Sequence, residues 1–207
     1  MKYTTFTLFL CIFYANAGFA GSERYQTCAS LVNTAPKQAL QQSRAWAKGE
    51  SSPSASHCMA MAQFALKDYP SAAKNLEKLL PTVKGNQFVY AHIVSQLARV
   101  YDVLDAPEKA GLVLNDAVFH LMQLDDERAL SHILNARYKH FENQKQYLKA
   151  INDLDHVINI APTAELYIAR AGILLKLKKA MSARWDLEAA LKLDPTNRKA
   201  TMMLQSL

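Results

Sequence analysis

Beyond residue 21 the apolar residues recur at intervals of three and four rather than two, so the pattern predicts helices and no strands. An alanine followed four residues later by a leucine returns at Ala72/Leu76, Ala110/Leu114, Ala150/Leu154 and Ala183/Leu187. Each pair follows an amphipathic stretch of about a dozen residues. The alanines are spaced by 38, 40 and 33 residues. A helix pair repeating at such a step cannot bury its apolar stripe alone, but a stack of them can. Pro162 and Pro195 each fall twelve residues past their alanine, where a ring without an N–H stops the second helix. Ahead of the first repeat, Glu23–Asn33 and Pro36–Lys48 read as a leading helix pair, with Trp46 covering the open end of the stack. Gly49 to Ser56 is a turn. At the far end Thr196 is placed to cap a short helix, Asn197–Gln205, whose Met202, Met203 and Leu204 seal the last repeat.

With units started at Pro53, Ala91, Ser131 and Ala164, the eighth residue is Ala60, Ala98, Tyr138 and Ala171. The twentieth is alanine and the twenty-fourth leucine in all four units. The twenty-seventh is Leu79, Ala117, Val157 and Ala190, and the eleventh is Gln63, Tyr101, Phe141 and Leu174. This pattern resembles the tetratricopeptide repeat (TPR) family, most closely in the last unit; Tyr138, Gln63 and Leu79 depart from it. The resemblance implies an all-α fold: one right-handed α-solenoid domain over 21–207. It would comprise a leading hairpin at 21–52, repeats at 53–86, 91–124, 131–163 and 164–197, and a capping helix at 198–207.

The resemblance also implies that the first helix of each unit lines a concave groove. The positions concerned are His57, Met61 and Phe64 in the first unit, and His92, Ser95, Arg99 and Asp102 in the second. The third offers His132, Asn135, Lys139 and Glu142, and the fourth Glu165, Ile168 and Lys176. The groove is then apolar at its N-terminal end and polar beyond. A peptide with a hydrophobic anchor and an acidic group suits it, Arg99 and Lys139 taking the carboxylate and Asn135 a backbone amide. Asn135 and Lys139 are similar in type to the carboxylate-clamp residues of chaperone-partner TPR domains, though the full set is missing.

Residues 1–20 read as an address. One positive charge at Lys2, an apolar run from Phe6 to Ala15 broken only by Thr7, and small residues at Ala15, Ala17, Gly18 and Ala20 make a secretory signal peptide. A cut after Ala17 or after Ala20 fits. The expected location is across the inner membrane, in the periplasm, and the lack of any Asn-X-Ser/Thr sequon leans the same way. Cys11 leaves with the signal. Cys28 and Cys58 remain, an even number in an oxidising compartment, and are expected to form a disulfide.

The chain carries 24 basic and 18 acidic side chains, unevenly placed. Residues 91–130 hold three basic and seven acidic, while 164–207 hold eight and four. The run Asp125-Asp126-Glu127 suits a helix start, where negative charge offsets the macrodipole. Lys176, Lys178, Lys179 and Arg184 gather at the last turn, a contact suited to an anionic envelope surface. Export removes nucleic acid from consideration. His92 and His132 share a unit position, with His57 nearby, but repeats spaced by about 10 Å would keep them from ligating one ion, which leaves them as exposed groove residues. No Gly-x-Ser-x-Gly, His-Glu-x-x-His or Cys-x-x-Cys occurs, and the residues of Asp153-Leu154-Asp155-His156 point about 100° apart on a helix. The expectation is a non-enzymatic scaffold or adaptor for a protein or peptide, with no cofactor and no metal. The alternatives are a structural subunit of an envelope assembly (pilus or outer-membrane machinery) or an adaptor of a periplasmic protease or hydrolase.

Overall fold

The computed structural model describes residues 23–49 and 52–207; the segment 1–20, read from the sequence as a signal peptide, lies outside them. Eleven helices and no strand occur among the described residues. They are α1 (Glu23–Thr34), α2 (Pro36–Gly49), α3 (Pro53–Ala65), α4 (Tyr69–Val83), α5 (Gln87–Val103), α6 (Pro107–Leu121), α7 (Glu127–Asn143), α8 (Tyr147–Ile160), α9 (Ala164–Lys176), α10 (Ala180–Leu193) and α11 (Arg198–Gln205). Successive helices pack as antiparallel pairs, and the pairs stack in chain order. Across repeats α1 packs on α3 and α5 on α7, whereas α4, α6, α8 and α10 make no comparable contact with one another. The stack therefore curves toward the odd-numbered helices, which form its inner layer. No described helix is long and apolar enough to cross a membrane.

The repeating alanine and leucine explain the stacking. Ala72, Ala110, Ala150 and Ala183 have no exposed surface, and Leu76, Leu114, Leu154 and Leu187 almost none. A methyl group at the first site lets paired helices approach closely, and the leucine one turn on fills the space between neighbouring pairs. Gln63, an exception at the eleventh position, is buried but satisfied: Asn75 Nδ2 donates to its Oε1 at 2.6 Å. Tyr138 stays buried at a small-residue position.

The repeat is written into the backbone as well. Lys67, Asp105, Lys145 and Lys178, at the same place in four hairpin turns, all adopt positive φ between 55° and 62°. In each turn the N–H of the next residue reaches back to a carbonyl in the preceding helix: Asp68 to Gln63, Ala106 to Tyr101, Gln146 to Phe141 and Lys179 to Leu174. This closes the first helix with a left-handed residue, and no glycine supplies it. Four inner helices are capped at their entries by side chains: Asn86, Asp126, Thr163 and Asn197 accept from the backbone three residues on. These caps correct two boundaries. α5 and α7 begin one turn before the unit starts read at Ala91 and Ser131, because Asn86 and Asp126 nucleate them at Gln87 and Glu127. Of the turn read from Gly49 to Ser56, residues 53–56 are helical instead, since Pro53 already opens α3 as its first helical residue. The final helix is capped by Asn197, because the Thr196 hydroxyl is engaged with Asp194.

Two arginines tie the later repeats together in the same way. Arg137 donates from Nε and Nη2 to the two oxygens of buried Asp153 at 2.9 and 2.6 Å, and from Nη1 to Asn115 of the preceding repeat at 3.1 Å. Arg170 forms the same fork with Asp186 and sends Nη1 to Asp155 of the preceding repeat at 2.6 Å. Asp153 and Asp155, which the sequence left as an excluded catalytic cluster, are thus structural. The hydrogen bonds and the two carboxylates hold the Arg170 pKa above its ordinary value, against the opposing effect of burial.

Candidate functional site

Inner helices α5 and α7 bound a cavity of about 600 Å³. Its lining includes His92, Ser95, Arg99, Asp102, His132, Asn135 and Lys139, seven of the residues placed in the groove from the sequence. A second cavity of about 330 Å³ lies against α1, α3, α4 and α5 and is walled by Val32, Met61, Phe64, Leu76 and Val100. The two share Gln96 and Arg99. Arg99 sits at that junction with its guanidinium carbon 4.4 Å from the Phe64 ring centre, a cation–π contact that fixes its direction.

The larger cavity offers donors at its rim and internal pairs on its floor. His140 Nδ1 donates to Asp102 Oδ1 at 2.9 Å, which engages an acid that would otherwise face an anionic ligand bare. His140 stands where the other repeats carry Ala62, Val100 and Ile173, and Gly111 makes room for it: a Cβ there would lie 3.3 Å from Nε2. Ser95 donates to Ala91 of its own helix at 2.8 Å, and Asn135 to Ser131 at 2.9 Å. Among the described residues the His140–Asp102 pair therefore has no hydrogen-bonded nucleophile beside it. Arg99 and Lys139 are the exposed cations of this cavity, and neither has an ion-pair partner among the described residues.

Five predicted groove residues sit elsewhere: Glu165, Ile168 and Lys176 of the fourth unit lie outside both cavities, Ile168 being buried in the core, and the other two are Glu142 and His57. Glu142 accepts from Lys176 Nζ at 2.7 Å across the third and fourth repeats, and this bond holds the Lys176 pKa above its usual range. His57 is buried beneath the groove at 2% exposure, not exposed in it. It belongs to a chain of hydrogen bonds that sequence spacing concealed. Tyr25 Oη lies 2.7 Å from His57 Nδ1, His57 Nε2 lies 2.8 Å from Gln96 Oε1, and Gln96 Nε2 lies 3.0 Å from His92 Nε2. With the Gln96 amide oriented this way and the rings neutral, Tyr25 donates to His57, His57 to Gln96, and Gln96 to His92. The histidine rings also come closer than repeat spacing suggests, 6.1 Å from His57 to His92 and 5.3 Å from His92 to His132. Side chains leaning along the inner layer close the gap. Even so, no group of three or more His, Cys, Asp or Glu among the described residues is arranged to hold a metal ion.

Burial lowers the His57 pKa to about 4, and it lowers those of His92 and His132 as well. The unfolded chain takes up these protons near pH 6.5, while the folded chain resists them. Stability is therefore complete above about pH 6.5 and falls as pH drops toward 4. Thermal unfolding followed by circular dichroism should give a lower midpoint at pH 5 than at pH 7.5. Replacing His57 by Gln, which cannot take up a proton, should flatten that slope.

Cys28 on α1 and Cys58 on α3 form a disulfide, with their Cα atoms 6.3 Å apart. Both are buried in a small apolar cluster with Ala39 and Ala62. The bridge fixes α1 and with it Tyr25 and the Val32–Asn33 wall of the smaller cavity.

No family-level sequence model matches the chain. A stretch of 48 residues, 23% of the chain, is 50% identical to bacteriophage adsorption protein A of Escherichia coli (strain K12), and spans only 5% of that protein's length. Solved structures are similar over nearly the whole chain. MamA (41-end) from Desulfovibrio magneticus RS-1 aligns with TM-score 0.61 at 16% identity, covering 86% of this chain and 98% of that one. YrrB, described as a TPR protein with an unusual peptide-binding site, aligns with TM-score 0.62 at 16% identity, covering 89% and 91%. TTC0263, a thermophilic TPR protein of Thermus thermophilus, aligns with TM-score 0.58 at 19% identity over 88% and 96%. The fold is that of the TPR solenoids.

Proposed function

We propose that this TPR solenoid is a non-enzymatic scaffold that binds a protein or peptide in its inner groove, in the bacterial periplasm. The observation that carries the reading is the junction at Arg99, where an apolar cavity and a polar one meet across a single fixed guanidinium. An apolar side chain of the ligand fills the smaller cavity, and a carboxylate beside it meets Arg99 and Lys139. Fork-shaped donation from arginine and point charge from lysine both favour a carboxylate over a neutral group. The peptide-binding site named for YrrB supports a groove ligand in a solenoid of this shape. The periplasmic location draws its support from the Met1–Ala20 pattern and from a disulfide, which needs an oxidising compartment to persist.

The test is capture of partners from an envelope extract by wild-type protein and by Arg99→Ala/Lys139→Ala. The double variant should recover the main partner at least about tenfold less well, the loss expected of two charge-assisted contacts. Its helical circular dichroism should be unchanged. Equal recovery by both proteins would discard the groove as the binding face.

A further inference from the structure

The outer layer carries two patches that the groove does not use. On α6, Leu112 and Phe119 stand seven residues apart and so share a face, 63% and 71% exposed, with Asp116 between them. Met122, 65% exposed, follows in the turn beside Asp125 and Glu127. On α10, Met181 and Trp185 lie one turn apart, each 63% exposed. Lys178, Lys179 and Arg184 surround them, with Lys192 farther along the same face. Both patches put large apolar side chains in water, which isolated solvent-facing helices have no need to do. Around one the charge is mainly negative, and around the other mainly positive; Lys109 is the opposing charge on the α6 face and Glu188 on the α10 face. None of Asp116, Asp125, Glu127, Lys178, Lys179, Arg184 or Lys192 has an ion-pair partner among the described residues.

We propose that the outer face of α6 in one molecule docks against the outer face of α10 in a second copy of this chain. Apolar centres of similar size meet, Phe119 and Leu112 against Trp185 and Met181, while acidic and basic rims match around them. Two different helices of one chain provide the two sides, so the contact either forms twice about a two-fold axis and closes a dimer, or forms once per molecule and leaves one acidic and one basic face open for head-to-tail growth. The inner groove stays free in every copy.

Sedimentation velocity on the full chain tests this. The weight-average mass should rise with protein concentration at about 50 mM salt and fall back toward monomer at about 500 mM, where screening shortens the reach of the rim charges. Trp185→Ser and Phe119→Ser should each weaken self-association at least about tenfold. Charge reversal gives the decisive comparison. Lys178→Glu/Lys179→Glu/Arg184→Glu makes both faces acidic, and Asp116→Lys/Asp125→Lys/Glu127→Lys makes both basic. Each variant alone should stay monomeric, yet an equimolar mixture should associate again. A wild-type chain that is monomeric at every concentration, or a mixture that fails to associate while both variants keep their helical circular dichroism, overturns the proposal. So does binding of the wild type to vesicles of anionic phospholipid through Trp185 without self-association, which would make the basic patch a membrane contact.

Discussion

Replacing Arg137 by Ala is expected to cost about 3–5 kcal/mol of stability, read as a lower midpoint in urea or thermal unfolding, because it strands a buried carboxylate. The Asp153 side chain is only 1% exposed, and Arg137 supplies both of its bidentate partners. Without the guanidinium the buried acid is left without either of these partners. The informative control is Arg137→Met with Asp153→Leu, which removes the pair without leaving an orphan. The second repeat already uses this solution, with Leu97 and Val113 at the corresponding positions. The paired replacement should recover most of the stability, since buried ion pairs give little net gain over apolar residues of similar volume. Arg170→Ala should instead loosen mainly the last repeat and α11, because terminal units of a solenoid are held from one side only. If Arg137→Ala and the paired replacement were equally unstable, the arginine would matter for its packing rather than for its charge.

This arginine device shows where sequence reading stops. Ala72, Ala110, Ala150 and Ala183 could be identified because every repeat needs a small residue where its helices touch, so the signal recurs four times. Arg137 and Arg170 occur in only two of four units, and their partners lie 15 to 22 residues away on other helices. The run of groove residues from His92 to Lys139 could be read because one helical face repeats with the unit. The link from His57 through Gln96 to His92 could not, since it depends on how far one inner helix is rotated and shifted against the next. The starts of α5 and α7 were obscured for another reason. A fixed 34-residue ruler anchored on the second helix absorbs an extra turn in the first, although Asn86 and the acidic run ending in Glu127 mark the true entries. The charge asymmetry between 91–130 and 164–207 was visible as a count. Its meaning as two faces required knowing that Phe119 and Trp185 both point outward.

Reduction of the Cys28–Cys58 bridge should loosen the leading hairpin before the rest of the solenoid. In the chain-entropy account, closing a loop of 30 residues limits the unfolded ensemble by roughly 3.5 kcal/mol. That contribution falls where the apolar core is thinnest: the cluster around the bridge holds Cys28, Ala39, Cys58 and Ala62, against the continuous core that joins α3 to α9. Hydrogen exchange read by mass spectrometry, with and without reductant, should show lost protection in 23–49 and little change across α5 to α8. The melting midpoint should fall as well. The effect should reach the groove, since α1 carries both Tyr25, which donates into the His57–Gln96–His92 chain, and the Val32 wall of the smaller cavity. A ligand whose apolar side chain enters that cavity should bind more weakly to the reduced protein, and one that uses only Arg99 and Lys139 should not. Uniform loss of protection along the whole chain would mean that the bridge supports the entire stack. Unchanged protection, or both thiols free in protein recovered from cells without reductant, would remove the bridge from the account of stability altogether.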